Sequence, residues 1–217
     1  MGRIVVYTAV ISDYDRLYEP FFRTDGVDMV CFTDQKGLTS SAWNVVQMKR
    51  TLDDPTREAR RLKILPHRLF PDADATVWVD ANLELLKVPG RWDVEAMLGR
   101  FPLAVYAHDK RKCLYDEAMV CKAQRRDDAR VMSYQMARYA KEGMPRGFGL
   151  ASTGFLARKN KPEATVFCEA WWYELANGSK RDQLSFDYCR WKLNFEVVWL
   201  DGSIYDGRRV LHRSHRR

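Results

Sequence analysis

Short apolar runs rich in β-branched residues alternate with longer stretches of helical period along most of the chain. Residues 3–11 (RIVVYTAVI), 28–34 (DMVCFTD) and 43–49 (WNVVQMK) have the length and make-up of buried strands. Asp53-Asp54-Pro55 then predicts a helix over 55–69, because Asp caps a helix start and Pro suits its first turn. Pro66 falls inside that pattern, so the helix is expected to end or kink just before it. Residues 76–86 (TVWVDANLELL) read as a strand, an abrupt Asp-Ala-Asn and a short apolar return. Helices follow near 91–100, 113–125, 127–142, 162–177 and 181–193. Between them lie strands at 103–108, 150–158 (LASTGFLAR) and 196–200, the second preceded by the Gly/Pro turn zone EGMPRGFGL. Strands separated by helices predict an α/β fold with a mainly parallel central sheet and helices on both faces.

In such a sheet, ligands sit beyond the carboxyl ends of the strands. The first strand ends near Thr8, Ser12 and Asp13, the second at Thr33-Asp34, and the strand at 76–79 at Asp80-Ala81-Asn82. Turn-forming Asp, Asn and Ser commonly occupy such places, and for Asp13 that reading is preferred. Asp80 and Asn82 are more specific. A carboxylate and an amide two residues apart can both offer oxygen to one Mg²⁺ or Mn²⁺, leaving positions open for two phosphates.

The 217 residues fit one domain with a real core, and 46% hydrophobic with 30% charged residues excludes general disorder. A formal charge of +7 and a pI near 9.2 predict an anionic partner: phosphate, nucleic acid or an acidic membrane surface. Five cysteines without a C-x-x-C pair are expected to be reduced thiols. No apolar run reaches transmembrane length, the start carries no cleavage site, and Val6 stands where a myristoylation signal needs Ser or Thr. The chain is therefore read as cytoplasmic and complete.

Three blocks carry a resemblance: ARRLKILPHRLFPDADATVWVDANLEL (59–85), HDKRKCLYDEAMVCK (108–122) and WWYELANGSKRDQLSFDY (171–188). They resemble a glycosyltransferase-like family with bacterial, viral and plant members, once catalogued as a domain of unknown function. The likeness runs from YTAVISDYD to the end of the third block. It implies a single GT-A (Rossmann-like) domain over 1–217, with a nucleotide-binding half to about residue 90 and an acceptor and catalytic half to about 207. A basic tail, 208–217, would follow.

The resemblance also implies a nucleotide-sugar donor, with UDP-sugars favoured, and a divalent metal held by a DxD-type element. Asp80 and Asn82 would be that element, with Ala81 between them. Asn82 replaces the usual second carboxylate, so the Mn²⁺ or Mg²⁺ would be weakly held. His212 is the first choice for a third ligand, ahead of His215 and His108. Thr8, Ala9 and Asp34 would face the nucleoside, while Arg60 and Lys63, three apart on one helix face and continued by His67, would meet phosphate or donor sugar.

Asp182 and Gln183 would lie at the reacting carbon beside Arg181, Asp182 stabilising an oxocarbenium-like centre or taking the acceptor proton. As an alternative, Asp182 is simply a helix cap. Ser152, Thr153, Gly154 and His108 would border the sugar and acceptor, behind a loop freed by Gly147 and Gly149. Tyr115, Asp116 and Glu117 would line the acceptor side. Trp171, Trp172 and Trp191 are read as core. The acceptor would be a saccharide, a glycolipid or, given the basic tail and the run Lys110-Arg111-Lys112, a hydroxymethylated base in DNA. A non-catalytic nucleic-acid-binding module and a metal-dependent nucleotidyltransferase or hydrolase are the competing classes.

Overall fold

A computed structural model describes residues 2–215. Its centre is a seven-stranded sheet in the order β3-β2-β1-β4-β7-β6-β8. The strands are β1 (Ile4–Val10), β2 (Val27–Thr33), β3 (Asn44–Gln47), β4 (Ala75–Val79), β6 (Leu103–Ala107), β7 (Ala151–Lys159) and β8 (Val198–Leu200). All pairs are parallel except those of β7, which runs against both β4 and β6. The mainly parallel sheet expected from sequence is present, with one reversed strand. That reversal matters for function, because it brings the start of β7 to the edge where the other strands end.

The two faces of the sheet are covered unequally. Val5, Tyr7, Trp78, Val105 and Leu156 face a large helical layer. It comprises α1 (Pro55–Ile64), α2 (Pro66–Leu69), α4 (Leu114–Ala123), α5 (Ala129–Lys141), α6 (Pro162–Asn177) and α7 (Gln183–Lys192). Ile4, Val6, Val77, Ala104 and Phe155 face α3 (Arg91–Leu98) and a two-stranded sheet of β5 (Leu83–Leu85) and β9 (Val210–His212). Alternate residues of β1 thus enter different cores, and all seven are buried. Burying each large apolar side chain of this strand is worth about 1.5–3 kcal/mol.

Local chemistry sets the helix that feeds the site. The Asp54 carboxylate accepts from the backbone N–H groups of Thr56 and Arg57, and Pro55 starts α1. The helix stops at Ile64, and α2 restarts at Pro66, as the proline predicts. The carbonyl of Lys63, near the broken end, accepts from the Tyr7 hydroxyl (2.8 Å) and from the fully buried Arg158 guanidinium (2.7 Å). The helix end carrying Lys63 is therefore tied to both β1 and β7.

The tail is folded back rather than free. β9 pairs antiparallel with β5, Leu83 opposite His212, and the Arg213 N–H donates to the carbonyl of Asn82 (2.8 Å). Its charge is partly used: Arg213 pairs with Glu84, Arg208 with Asp206, and Arg209 donates to the Tyr106 hydroxyl. Arg216 and Arg217 lie outside the described residues. Trp171 is completely buried, as expected of a core residue, and all five cysteines are free and buried. No helix among the described residues is long and apolar enough to cross a membrane.

Candidate functional site

Asp80 begins where β4 ends, and a four-charge cluster forms around it. Asp80 Oδ1 accepts from Trp78 Nε1 (2.6 Å), Lys63 Nζ (3.2 Å) and an Arg60 Nη (3.3 Å). Asp182, just before α7, receives Lys63 Nζ at 2.6 Å and the Thr153 hydroxyl at 2.9 Å, with Arg60 Nε at 3.5 Å. Lys63 also donates to the Thr153 hydroxyl (3.3 Å). Its three donor protons thus have three acceptors, and the ammonium is wholly buried. The sequence reading of Arg60 and Lys63 as one helix face holds geometrically. Lys63, however, lies beneath the cleft as a bridge between two carboxylates, while Arg60 lines it.

Burial opposes the charge on Arg60, Lys63 and Asp182. It would raise the Asp182 carboxyl, yet Arg60 and Lys63 hold it far below the usual carboxylate range. Burial pushes the Lys63 ammonium down, against the pull of Asp182 and Asp80. A carboxylate held so acidic is a weak base at neutral pH. Asp182 is thereby suited to orienting Lys63 and fixing negative charge more than to removing a proton.

The stabilisation linked to Asp182 is present above the unfolded value, about 3.9 for Asp, and is lost as pH falls toward the depressed native value. The thermal-midpoint gap between wild type and Asp182→Asn is therefore expected to be full at pH 6 and to shrink steadily below about pH 4. A gap independent of pH over that range would contradict the depressed carboxyl.

Asp80 Oδ2 accepts no hydrogen bond among the described residues and faces Gly154, where an added Cβ would stand 3.4 Å from it. Glycine there keeps one carboxylate oxygen open. The turn at 80–82, held by the Leu83 N–H on the Asp80 carbonyl (2.8 Å), sets Asn82 beside the tail. The Asn82 amide lies 3.2 Å from His212 Nε2. Burial, with His215 nearby, pushes the His212 pKa down, which favours the neutral ring that binds metals. Among the described residues no three His, Cys, Asp or Glu side chains form a metal-binding group. Asp80, Asn82 and His212 border one cavity, and carboxylate, amide and imidazole are side-chain types a divalent ion accepts.

Two adjoining cavities meet over this edge. One, of about 370 Å³, is lined by His108, Glu117, Ser152, Thr153, Gly154, Asp182, Gln183 and Tyr205. The other, of about 310 Å³, has walls of Ala9, Ile11, Pro55, Ala59, Trp78 and Ala81. Both touch Tyr14, Arg60, Asp80, Asn82, Arg126, Arg181 and His215, and His212 borders the first. Both have the size of small-molecule sites. A further groove of about 400 Å³ lies between α3 and β8 on the other side of the sheet and contains none of the clustered charges.

Several expected residues stand elsewhere. Thr8 is buried mid-strand on the side of Val6 and Val10, its hydroxyl without a partner. Asp34 accepts from the Ser12 N–H (2.7 Å) and pairs with Arg50 (3.0 Å), and it lines neither cavity. His67 pairs with Glu169 on α6 (2.7 Å), because the break at Leu65-Pro66 ends the helix face it was to continue. Of the acceptor-side trio only Glu117 reaches the cleft. The Tyr115 hydroxyl donates to the Met144 carbonyl, and Asp116 pairs with Arg146. Burial lowers the pKa of His108, whose Nδ1 accepts from the backbone N–H groups of Lys110 and Arg111. Arg111 itself pairs with Glu117.

Sequence reasoning missed Tyr14, Tyr205 and Arg126. The one signal for Arg126 was the Arg125-Arg126 pair directly after a helix, which reads as ordinary surface charge.

Residues 1–205 match the TOD1/MUCI70, glycosyltransferase-like domain. Among curated proteins the chain is similar to the probable hexosyltransferase MUCI70 of Arabidopsis thaliana, 27% identical over 244 aligned positions. That alignment takes in 98% of this chain and 42% of that protein. The chain is also similar to the alkaline ceramidase TOD1 of the same plant, 24% identical over 229 positions, covering 89% of this chain and 49% of that protein. It therefore spans less than half the length of either relative. With the match running through both cavity-forming halves of the sheet, the chain belongs to the TOD1/MUCI70 family of glycosyltransferase-like domains.

Proposed function

We propose that this protein is a hexosyltransferase that moves a sugar from a nucleoside-diphosphate donor to a hydroxyl acceptor. The observation that carries the reading is the pairing of an apolar and a polar cavity across the Asp80 edge, with cationic side chains between them. The apolar side, walled by Trp78, Ile11 and Pro55, suits the nucleoside. Asp80, Asn82 and Arg60 stand where the diphosphate would cross. Ser152, Thr153, Gly154, Gln183 and His108 border the space left for sugar and acceptor.

Asp80, His212 and the Asn82 amide oxygen would hold a divalent cation, Mn²⁺ or Mg²⁺, which when bound supplies positive charge to the departing diphosphate. Arg60 adds fixed positive charge from the chain, and Lys63 keeps the Asp80 and Asp182 carboxylates in register. Gly154 leaves room for substrate at the open Asp80 oxygen.

A saccharide or glycolipid hydroxyl is the acceptor we favour. A DNA acceptor drew on the basic tail, but Arg208, Arg209 and Arg213 already have partners within the fold. The polar lining of the main cavity also suits a nucleotide sugar better than the alkyl chains of a ceramide. The five reduced thiols are compatible with a cytoplasmic setting.

The test is a panel of nucleoside-diphosphate hexoses, UDP-hexoses first, read by thermal shift with and without Mn²⁺. A ligand at a hundred times its Kd stabilises by about 2.7 kcal/mol, enough to move the midpoint by several degrees. At least one donor is expected to do so. A panel that stays flat in both conditions removes the proposal.

A further inference from the structure

Where the two cavities meet, two guanidinium groups stand without ion pairs among the described residues. Arg126 donates from Nε to the neutral Gln124 side chain (3.1 Å). Arg181 reaches the neutral Gln183 amide oxygen (3.4 Å) and Cys121 thiol, with the Asp182 carboxylate near it but outside ion-pair distance, and its buried Nε has no partner. Both line both cavities. Most other charges at the site are spoken for: Lys63 and Arg60 by Asp80 and Asp182, Arg111 by Glu117, and His215 by Asp15. Two unpaired cations facing one gap repel each other, and an anion between them would relieve that repulsion.

The backbone holds them there. After α4, Arg125 adopts a left-handed conformation (φ +52°) at the place where helices usually carry glycine. The Arg126 N–H donates to the Cys121 carbonyl (2.9 Å), which closes the helix and redirects the chain. The next residue, Asp127, accepts from the Ser179 hydroxyl (2.6 Å) and the Lys180 N–H (2.8 Å). One carboxylate therefore staples the segment carrying Arg126 to the segment carrying Arg181. Left-handed strain at Arg125 and a cross-chain staple are what a preset arrangement of two charges requires.

We propose that Arg126 and Arg181 form a diphosphate clamp, stapled by Asp127, that holds the leaving group of the donor without requiring a metal. The inference rests on the transferase reading for the identity of the donor. The clamp itself is a property of the chain. Each guanidinium offers forked N–H donors to phosphate oxygens, and two of them span adjacent phosphates better than a single one.

Isothermal titration with inorganic pyrophosphate in EDTA tests it on the full chain. The wild type is expected to bind. Arg126→Ala and Arg181→Ala should each weaken binding at least about tenfold, or about 1.4 kcal/mol. Asp127→Asn, which lines neither cavity, should weaken it as well. Arg130→Ala, an exposed charge removed outside both cavities, should change it by less than about twofold. Orthophosphate should bind about tenfold more weakly than pyrophosphate.

Circular dichroism and melting curves identify any variant that fails to fold. Arg126→Lys and Arg181→Lys keep the charge without the fork and should bind between wild type and alanine. No pyrophosphate binding by the wild type in EDTA, wild-type affinity in both alanine variants, or equal affinity for orthophosphate would each overturn the clamp. A flat nucleotide-sugar panel with pyrophosphate binding intact would remove the transferase reading and leave the clamp standing.

Discussion

Lys63→Met is expected to destabilise the protein by about 3–5 kcal/mol and to abolish donor turnover, because it strands a buried carboxylate. Asp182 is almost wholly buried, and Lys63 is its nearest cation. Without the ammonium, Asp182 keeps Arg60 at 3.5 Å, the Thr153 hydroxyl and the more distant Arg181. The double variant Lys63→Met/Asp182→Leu separates structure from chemistry. Removing both ends of a buried pair is often close to neutral in stability, so urea unfolding should show much of the loss recovered. Turnover should not return, since the charges that set Asp80 are still missing. A Lys63→Met protein as stable as the wild type would show that the bridge does not hold the end of β4 to the start of α7.

Asp80→Asn is expected to cut transfer or donor hydrolysis by about 10²–10³-fold while leaving stability within about 1 kcal/mol. The amide oxygen can still accept from Trp78, and Lys63 keeps its shorter contact with Asp182. What disappears is the negative charge on the one carboxylate oxygen that faces the cleft. Steady-state kinetics over a range of Mn²⁺ concentrations, with parallel unfolding curves, checks both parts. Activity near the wild-type level would remove Asp80 from the chemistry.

Much of the fold could be read along the chain because parallel strands buried on both faces appear as unbroken apolar runs, as β1 and β4 do. The helix break at Pro66 and the cap at Asp54 are equally local signals. The reversed direction of β7 is not, since LASTGFLAR has the same period whichever way it runs. The tail was misjudged for a related reason. Val-Leu-His between arginines reads as charge, and its partner Leu83-Glu84-Leu85 lies more than a hundred residues earlier.

The site divides the same way. Asp80 and Asn82 follow the end of β4 and were visible as such, and Gly154 was visible as a small residue early in LASTGFLAR. Lys63 was read as part of an accessible basic face because its burial depends on Asp182, which only the folded sheet brings near. Arg126 was hidden in QRRDDAR, where nothing local separates a guanidinium that faces a cavity from one that faces solvent.

The reversed strand assigns different tasks to its two flanking loops. The segment before β7, where Gly147 and Gly149 have φ values of +73° and +129°, is fastened at Met144 by Tyr115 and at Gly149 by the Lys112 carbonyl. It leads into Ser152, Thr153 and Gly154, which line the polar cavity. The segment after β7 leaves from the opposite edge and lines neither of the two cavities. Insertions or exchanges between residues 144 and 149 are therefore expected to act on the polar cavity through Ser152, Thr153 and Gly154. The same changes after Lys159 are expected to leave both cavities as they are, so the two ends of one strand can vary with separate consequences.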